Sequence, residues 1–328
     1  NDKITRNPDS ADAEVKAKLN RVRRVTESFA IFIDGRSVEG GMDTYLDHIK
    51  KSEARDWMYY QIESEGKKGS SVGRDMTSLT AIFNWAVSEH GRENPELRKD
   101  YNPFSGLRST AEEHHTEAVR TGEVKSLASR PWTPHELNAF SARLDRMNSE
   151  LKLIAMLSIH TGARLKDTCG LRIMELHLST DEDSFLEYKH NRNRKISKES
   201  VERQVPLFGD VLSELKSYLT SVGAEEKNLF PRYCGSRQTN NVSSALNKKH
   251  LDIINEDPRF KMHGLRDTLS SKFMATNVRN DLAGYLIGWR NPTTVGMQKE
   301  YQKGGYPHGQ MLTALRAAHS VKVWGTAS

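Results

Sequence analysis

The run from Leu151 to Ile159 constrains this 328-residue chain more than any other stretch, because it is apolar nearly all round. Such a helix is stable only at the centre of a domain. Gly162 can end it in a left-handed conformation, and Arg164 then opens the next element. Upstream, Trp132-Thr133-Pro134-His135-Glu136 reads as a helix start, with Thr133 as cap, Pro134 at the first helical position and Glu136 closing the capping box. Downstream, Phe185 to Tyr188 and Val201 to Leu207 read as strands, the second alternating Val201, Arg203, Val205 and Leu207 with polar residues and Pro206. The basic segment Lys189 to Glu199 between them is expected as an exposed hairpin tip. Val211, Leu212, Leu215, Tyr218, Leu219 and Val222 mark an amphipathic helix that Gly223 stops.

The first third of the chain has a different texture. From Thr44 to Gly106 the pattern is helical, and Leu79, Ile82, Phe83 and Ala86 fall on one face. Residues 105 to 131 then carry few large apolar side chains over 27 positions, longer than an ordinary connection inside a domain. The expected organisation is a helical domain over 36–106, an interdomain linker over 107–131 and a second domain over 132–328 that includes a C-terminal tail. Residues 1–35 are expected as an N-terminal segment, the end of a linker from a further module upstream. Within it Arg21-Val22-Arg23-Arg24 runs into Phe29 to Ile33, either a short helix or strand with a basic edge or a solvated charge run. Two domains suit a chain of this length. The fold class is mainly α with a small antiparallel β-sheet.

Charge and cysteine content narrow the function. Lysine plus arginine exceed acidic residues by 49 to 43, and the pI of 9.1 points towards a polyanionic partner without identifying one. Cys169 and Cys234 are too far apart for a disulfide framework or a zinc site, which fits a reducing cytosol. No apolar run reaches the ~18 to 20 residues needed to cross a bilayer, so no membrane role is expected. A phosphate-binding glycine loop and a metal-ligand cluster are absent from the sequence, and neither cofactor nor metal is expected.

The chemistry-bearing residues lie in the second half. His263 and Arg266 stand three residues apart, hence on one helix face, while Leu265, Leu269 and Phe273 pack another. Asp167 lies one turn after Arg164 and can hold its guanidinium in a bidentate fork. Two arginines, an imidazole and a lysine suit a phosphate in the act of being displaced, and a tyrosine suits the displacing nucleophile.

Taken together, His160-Thr161-Gly162-Ala163-Arg164-Leu165-Lys166-Asp167, His263-Gly264-Leu265-Arg266, Leu286-Ile287-Gly288-Trp289 and Tyr301 resemble the tyrosine recombinases, also called the phage integrase family. The resemblance covers about 132–315 well, and Ser71 to Phe104 more loosely. It implies a helical core-binding, SAM-like domain followed by a mixed α+β catalytic domain. It also implies that Arg164 and Arg266 clamp the scissile phosphate and that His263 donates a further hydrogen bond or accepts the tyrosine proton. Trp289 stands where many members have histidine, and its indole can donate but cannot take a proton. Asp167 stands where glutamate is frequent and would orient Arg164. The family's hairpin lysine, which protonates the departing 5′-hydroxyl, corresponds to Lys198, with Lys195 and Lys189 on the same tip. Tyr301 would attack phosphorus to leave a 3′-phosphotyrosine, and Tyr306 is kept as a rival because Tyr301 lies twelve residues after Trp289, more than is common.

The implied activity is site-specific recombination, integrating or excising a phage or mobile element in a bacterial cytoplasm. A type IB topoisomerase-like relaxation enzyme and a catalytically silent DNA-binding relative are the alternatives. The implied partner is double-stranded DNA at core sites, bound by a homotetramer on two duplexes that is monomeric or weakly associated when free, with accessory DNA-bending proteins. Arg192, Arg194, Lys195, Lys248 and Lys249 are candidate phosphate contacts, with base readout from the helical domain and from Thr239 to Leu246. The apolar stripe Met311, Leu312, Leu315, Val321 and Trp324 packs either on its own domain or on a neighbouring protomer.

Overall fold

The computed structural model describes residues 13–34, 48–93, 101–125, 128–191, 193–194, 202–223, 225–234, 236–289 and 305–321. Arg192, Lys195, Lys198, Tyr301 and Trp324 lie outside the described residues. The chain is mostly helical with one small antiparallel sheet, and it divides into two compact units, Asn1–Leu127 and Ala128–Ser328. Among the described residues, no helix is long and apolar enough to cross a membrane.

Among the described residues, the first unit contains four helices: α1 (Ala13–Asp34), α2 (Lys51–Glu63), α3 (Gly69–His90) and α4 (Leu107–Thr121). Phe29 of α1 meets Trp57 of α2 edge to face at 5.6 Å and Phe104 at 5.0 Å, so the basic N-terminal run is the outer face of a helix that belongs to this core. Leu79, Phe83 and Ala86 of α3 are buried as their spacing predicts, with Ile82 half-buried.

The segment 107–131, expected as a linker, is mostly α4. Left-handed glycines at both ends, Gly106 (φ 79°) and Gly122 (φ 84°), delimit this helix, and it buries Leu107, Ala111 and Ala118. Small residues suffice because α3 and α4 approach closely at Gly69, where an added Cβ would overlap the Ala111 carbonyl and lie 2.6 Å from His115 Cβ. A helix packed through alanine and glycine shows no large apolar stripe, which is why it reads as a linker.

The second unit begins with the expected capping box. Thr133 Oγ1 accepts from the Glu136 amide at 3.2 Å, while the Glu136 carboxylate accepts from the Thr133 amide at 2.8 Å. The short helix α5 (Pro134–Ser141) follows, then α6 (Ser149–Thr161), whose Leu153, Ile154, Ala155 and Leu157 are fully buried. Around α6 stand α7 (Leu165–Cys169), strands β1 (Leu176–His177), β2 (Phe185–Tyr188) and β3 (Arg203–Pro206), α8 (Gly209–Leu219), α9 (Ser236–Ser244), α10 (Gly264–Ala275), α11 (Asn280–Ile287) and α12 (His308–Ser320). The strands lie in the order β1-β2-β3, with Leu186 opposite Val205 and Tyr188 opposite Arg203. β1, only two residues long, carries no alternation from which it could be read.

Helix α12 settles one of the open alternatives for its own length. Met311, Ala314, Leu315 and Ala318 are buried in the unit's core against α10, α11 and β3, so this part of the stripe is covered within the chain. In the region expected to read bases, Val242 and Leu246 are likewise core residues, while Asn240 and Asn241 are exposed.

Candidate active site

The site lies where three chain segments of the second unit end beside one another. The first is the turn after α6. Gly162 adopts φ 59°, ψ 16°, and a Cβ there would press on Leu269 and Ile287 at 3.1 and 3.3 Å, so the turn sits flush against α10 and α11. Thr161 Oγ1 accepts from the Ala163 amide at 3.1 Å and fixes the exit of the chain towards Arg164, which is half-buried at the start of α7.

The second segment is the N-terminus of α10. His263 precedes it and Arg266 follows one turn later, the spacing that puts both on one face. Arg266 is 3% exposed. Its Nη1 donates to the Gly162 carbonyl at 3.1 Å and to the Ile287 carbonyl, whereas its buried Nη2 has no hydrogen-bond partner. Burial is the main reason its guanidinium is held down to about 9, with Arg203 and Arg164 adding repulsion and Asp167 and Asp267 opposing it. His263 is reached by solvent on one side, yet the surrounding protein desolvates the ring enough to lower its pKa. Arg266 and Arg164 push the same way and Asp267 the other.

The third segment is the C-terminus of α11, whose last carbonyls lack partners inside the helix and carry its negative dipole end. Arginines fill that role: Arg203 Nε donates to Leu286 O at 3.0 Å and Arg266 Nη1 to Ile287 O. Gly288 turns the chain at φ 78°, the Trp289 amide returns to Gly284 O at 2.7 Å, and the indole comes to lie over the Arg266 guanidinium at 5.3 Å. Trp289 is 42% exposed, so one ring face stacks on the cation while the rest meets solvent.

These elements bring together Arg164, Asp167, His263, Arg266 and Trp289, all five of the expected catalytic residues that lie among those described. Two expectations change. Among the described residues, no side-chain hydrogen bond or ion pair joins Arg164 to Asp167; only the Asp167 amide reaches back to the Arg164 carbonyl, at 2.8 Å. Asp167 is instead turned inward, with Oδ2 buried and unpartnered, and its charge acts on Arg203 and Arg266. Arg194, expected at an exposed tip as a phosphate contact, is wholly buried: it donates to Asp167 O (3.0 Å), Lys189 O (2.7 Å) and Glu175 Oε1 (2.7 Å) and lies 5.3 Å over the Tyr188 ring. With its guanidinium committed to interior acceptors, it cannot reach a DNA backbone.

Sequence reasoning missed Arg203 as part of this site. It is 3% exposed, stacks on Tyr188 at 4.2 Å and is coupled to Arg164, Arg266 and Asp167. Burial is the first cause of its lowered pKa. The signal was present, since Arg203 shares the inward face of its strand with Val205. Of the remaining candidates, Lys248 and Lys249 are exposed on the wide helical turn Ala245–Leu251. Lys189 pairs with Glu187 at 2.5 Å, which raises its pKa. The Tyr306 hydroxyl donates to Asp281 at 2.9 Å, and its ring meets Tyr285 at 5.2 Å.

The balance of charge is that of an anion receptor: among the described residues, three guanidinia and an imidazole stand against the carboxylates of Asp167 and Asp267. Among the described residues, no group of three or more histidine, cysteine, aspartate or glutamate side chains could hold a metal ion.

Residues 123–302 match the phage integrase family. The fold is similar to that of the Tn1549 transposon integrase in complex with transposon right end DNA, at TM-score 0.55 and 16% identity over 92% of each chain. It is also similar to a lambda integrase dimer bound to a COC′ core site, at TM-score 0.54 and 18% identity over 92% of each chain. A lambda integrase tetramer bound to a Holliday junction matches at TM-score 0.53 and 18% identity, over 90% of this chain and 76% of that one. Comparison with curated proteins by sequence gives no match.

Proposed function

Because the chain belongs to the phage integrase family of tyrosine recombinases, we propose that it is a site-specific DNA strand transferase that works through a 3′-phosphotyrosine. The observation that carries this reading is the unclaimed Nη2 of buried Arg266 beside Arg164 and His263, a cationic cluster with too few carboxylates of its own. A scissile phosphate supplies the missing negative charge. In the five-coordinate transition state that charge grows, and fixed guanidinium donors in a water-poor site stabilise it more than the ground state.

In this mechanism Tyr301 Oη forms a bond to phosphorus as the bond to the 5′-oxygen breaks. His263, whose pKa burial lowers, accepts a hydrogen bond from the phenol or takes its proton. Lys198 gives a proton to the departing 5′-oxygen. Trp289 covers Arg266 and donates from its indole nitrogen, while Asp167 limits the repulsion among the arginines. Attack by a 5′-hydroxyl on the phosphotyrosine reverses the step on a new strand, and the ester conserves the bond energy.

Tyr301 is preferred to Tyr306 because the latter's hydroxyl is already bonded to Asp281. The partner is duplex DNA, with Lys248, Lys249, Lys195 and Arg192 on its backbone. The DNA-bound tetramer seen for lambda integrase supports exchange within an assembly of four, and the transposon integrase supports a mobile element as the DNA moved.

The test uses a pool of nicked suicide duplexes with randomised cores, from which covalent protein–DNA adducts are recovered on denaturing gels. The wild-type chain and Tyr306→Phe should yield adducts and Tyr301→Phe none. Adducts that survive in Tyr301→Phe would refute the assignment of the nucleophile, and a wild-type chain that never forms one would refute the function. Lys198→Ala should cleave slowly and be rescued by a 5′-thiol leaving group, since a thiol departs without a proton.

A further inference from the structure

Two stacked imidazoles that the reaction above does not use tie three elements of the second unit together. His160, 6% exposed, is the penultimate residue of α6 and stands four residues before Arg164. Its ring lies against that of His319, the penultimate residue of α12, with centroids 5.0 Å apart and planes 12° from parallel. Phe208 closes the group, edge-on to His160 at 4.7 Å.

Each imidazole gives its Nε2 to a main-chain carbonyl. His160 Nε2 donates to Pro206 O at 2.9 Å, and His319 Nε2 donates to His160 O at 3.0 Å. A carbonyl can only accept, so both rings carry a proton on Nε2. The acceptors are the informative part. The His160 carbonyl is among the last of α6, which have no partner inside their own helix. Two residues further on, Gly162 O accepts from Arg266 Nη1 at 3.1 Å. The turn that presents Arg164 is therefore braced twice, once by an arginine of the phosphate clamp and once by α12. That helix begins seven residues after Tyr301. Pro206, the acceptor for His160, ends the strand that carries Arg203. Core packing does not demand this arrangement. Met311, Ala314, Leu315 and Ala318 already hold α12 in the core, and an apolar side chain at 319 would pack there while depriving His160 O of its donor.

We infer that His319 is a positioning residue for strand transfer: through the His160 carbonyl it couples the seating of α12, the helix that follows Tyr301, to the turn that presents Arg164. His160 extends the coupling to β3. The inference rests on the reading of Tyr301 as nucleophile and Arg164 as phosphate clamp, and it adds how segments far apart in sequence keep their register. Such register matters, because a misplacement of about 1 Å can cost about 10²-fold in rate.

The experiment compares single-turnover cleavage of the suicide duplex with duplex affinity in the full chain, at a temperature where circular dichroism finds every variant folded. His319→Leu should slow cleavage by about 10- to 100-fold at saturating DNA and leave affinity unchanged, since it removes no DNA contact. His319→Gln, whose amide nitrogen can donate from nearly the place of Nε2, should recover most of the rate. His319→Asn is too short to do so and should remain slow. Ala318→Gly loosens the neighbouring position of α12 and should lower the melting temperature without slowing the folded chain. A wild-type rate in His319→Leu would overturn the inference, and so would an equal loss in Ala318→Gly. If His319→Leu does not fold, the amide pair decides: equal rates in His319→Gln and His319→Asn overturn the coupling. Amide exchange across residues 160–169 keeps this question apart from the reaction, because the turn should open more readily in His319→Leu than in Ala318→Gly whether or not DNA is cut. Adducts formed at the wild-type rate with unchanged exchange sink the brace alone. Faster exchange in a chain that never forms an adduct sinks the strand transfer, and with it the catalytic purpose of a brace that is nonetheless present.

Discussion

Replacing Gly288 by alanine tests how tightly the end of α11 is built onto Arg203. The residue adopts φ 78°, and a Cβ placed there would overlap the Arg203 guanidinium. The end of a long side chain would usually step aside. Here it is stacked on Tyr188 at 4.2 Å and bonded to Leu286 O at 3.0 Å, with almost no exposed surface to move into. The left-handed backbone costs an alanine about 1–2 kcal/mol, and breaking a hydrogen bond from a charged donor costs about 1.5–3 kcal/mol more. Gly209 provides the comparison, since it has φ 63° with nothing within 4 Å of an added Cβ, so Gly209→Ala should incur the backbone cost alone. In a unit of this size 1 kcal/mol shifts the melting temperature by about 2–4 °C. Gly288→Ala should therefore melt about 3–12 °C below Gly209→Ala, and its adduct yield should fall as Trp289 shifts. In an Arg203→Ala background the difference between the two glycines should nearly vanish, as expected for coupled neighbours. Equal melting of Gly288→Ala and Gly209→Ala would show that the guanidinium moves freely and that Arg203 does not hold this corner.

Three other outcomes are expected. Arg266→Gln should slow single-turnover cleavage of a suicide duplex by about 10²–10³-fold, the usual loss for a preorganised donor; unchanged cleavage would remove Arg266 from the reaction. Acid should destabilise the second unit through His160 and His319, whose rings stack at 5.0 Å in its interior. Burial lowers both, His160 to about 3, against an unfolded value of about 6.5, so the neutral-state stability is present above about pH 6.5 and is lost as pH falls from there towards 3. Urea midpoints should drop over that window, only partly less in His319→Gln because burial remains the first cause of the His160 shift, and should flatten most in His160→Gln; a flat wild-type profile would contradict the assignment. Deleting residues 308–328 should leave the second unit unfolded and sensitive to limited proteolysis, because it strips Met311, Ala314, Leu315 and Ala318 from the core; a protease-resistant truncated unit would return the tail to a role between protomers.

What could be read from the chain depended on whether a local rule coincided with the tertiary environment. The helix Ser149–Thr161, its stop at Gly162, the capping box at Thr133 and the strand Phe185–Tyr188 each follow from short-range pattern, and the structure contains all four. Helix α4 escaped because burial through Ala111 and Ala118 leaves no apolar stripe, although Gly106 and Gly122 bracket it as caps would. Arg194 escaped for a different reason. Nothing local says that a basic residue at a hairpin will find Glu175 and the carbonyls of Asp167 and Lys189, all of which the fold must deliver. The Arg164–Asp167 fork failed because one turn of separation makes the contact geometrically available but does not decide which way the carboxylate faces.

That last difference changes the physical role of Asp167. A carboxylate paired to Arg164 would neutralise a cation that a phosphate needs. Turned inward, with Oδ2 unpartnered, it acts through the field on Arg203 and Arg266 while leaving Arg164 without a competing acceptor among the described residues. Burying like charges together is costly, and a single carboxylate close to two of them reduces that cost without occupying their outward donors. The arrangement places like charges together in a way that an incoming phosphate relieves, so binding energy increases as charge develops on the phosphoryl oxygens. Asp167→Asn separates this from a simple hydrogen-bonding role: it keeps the shape, removes the field, and should lower the stability of the free protein while duplex binding recovers part of the loss.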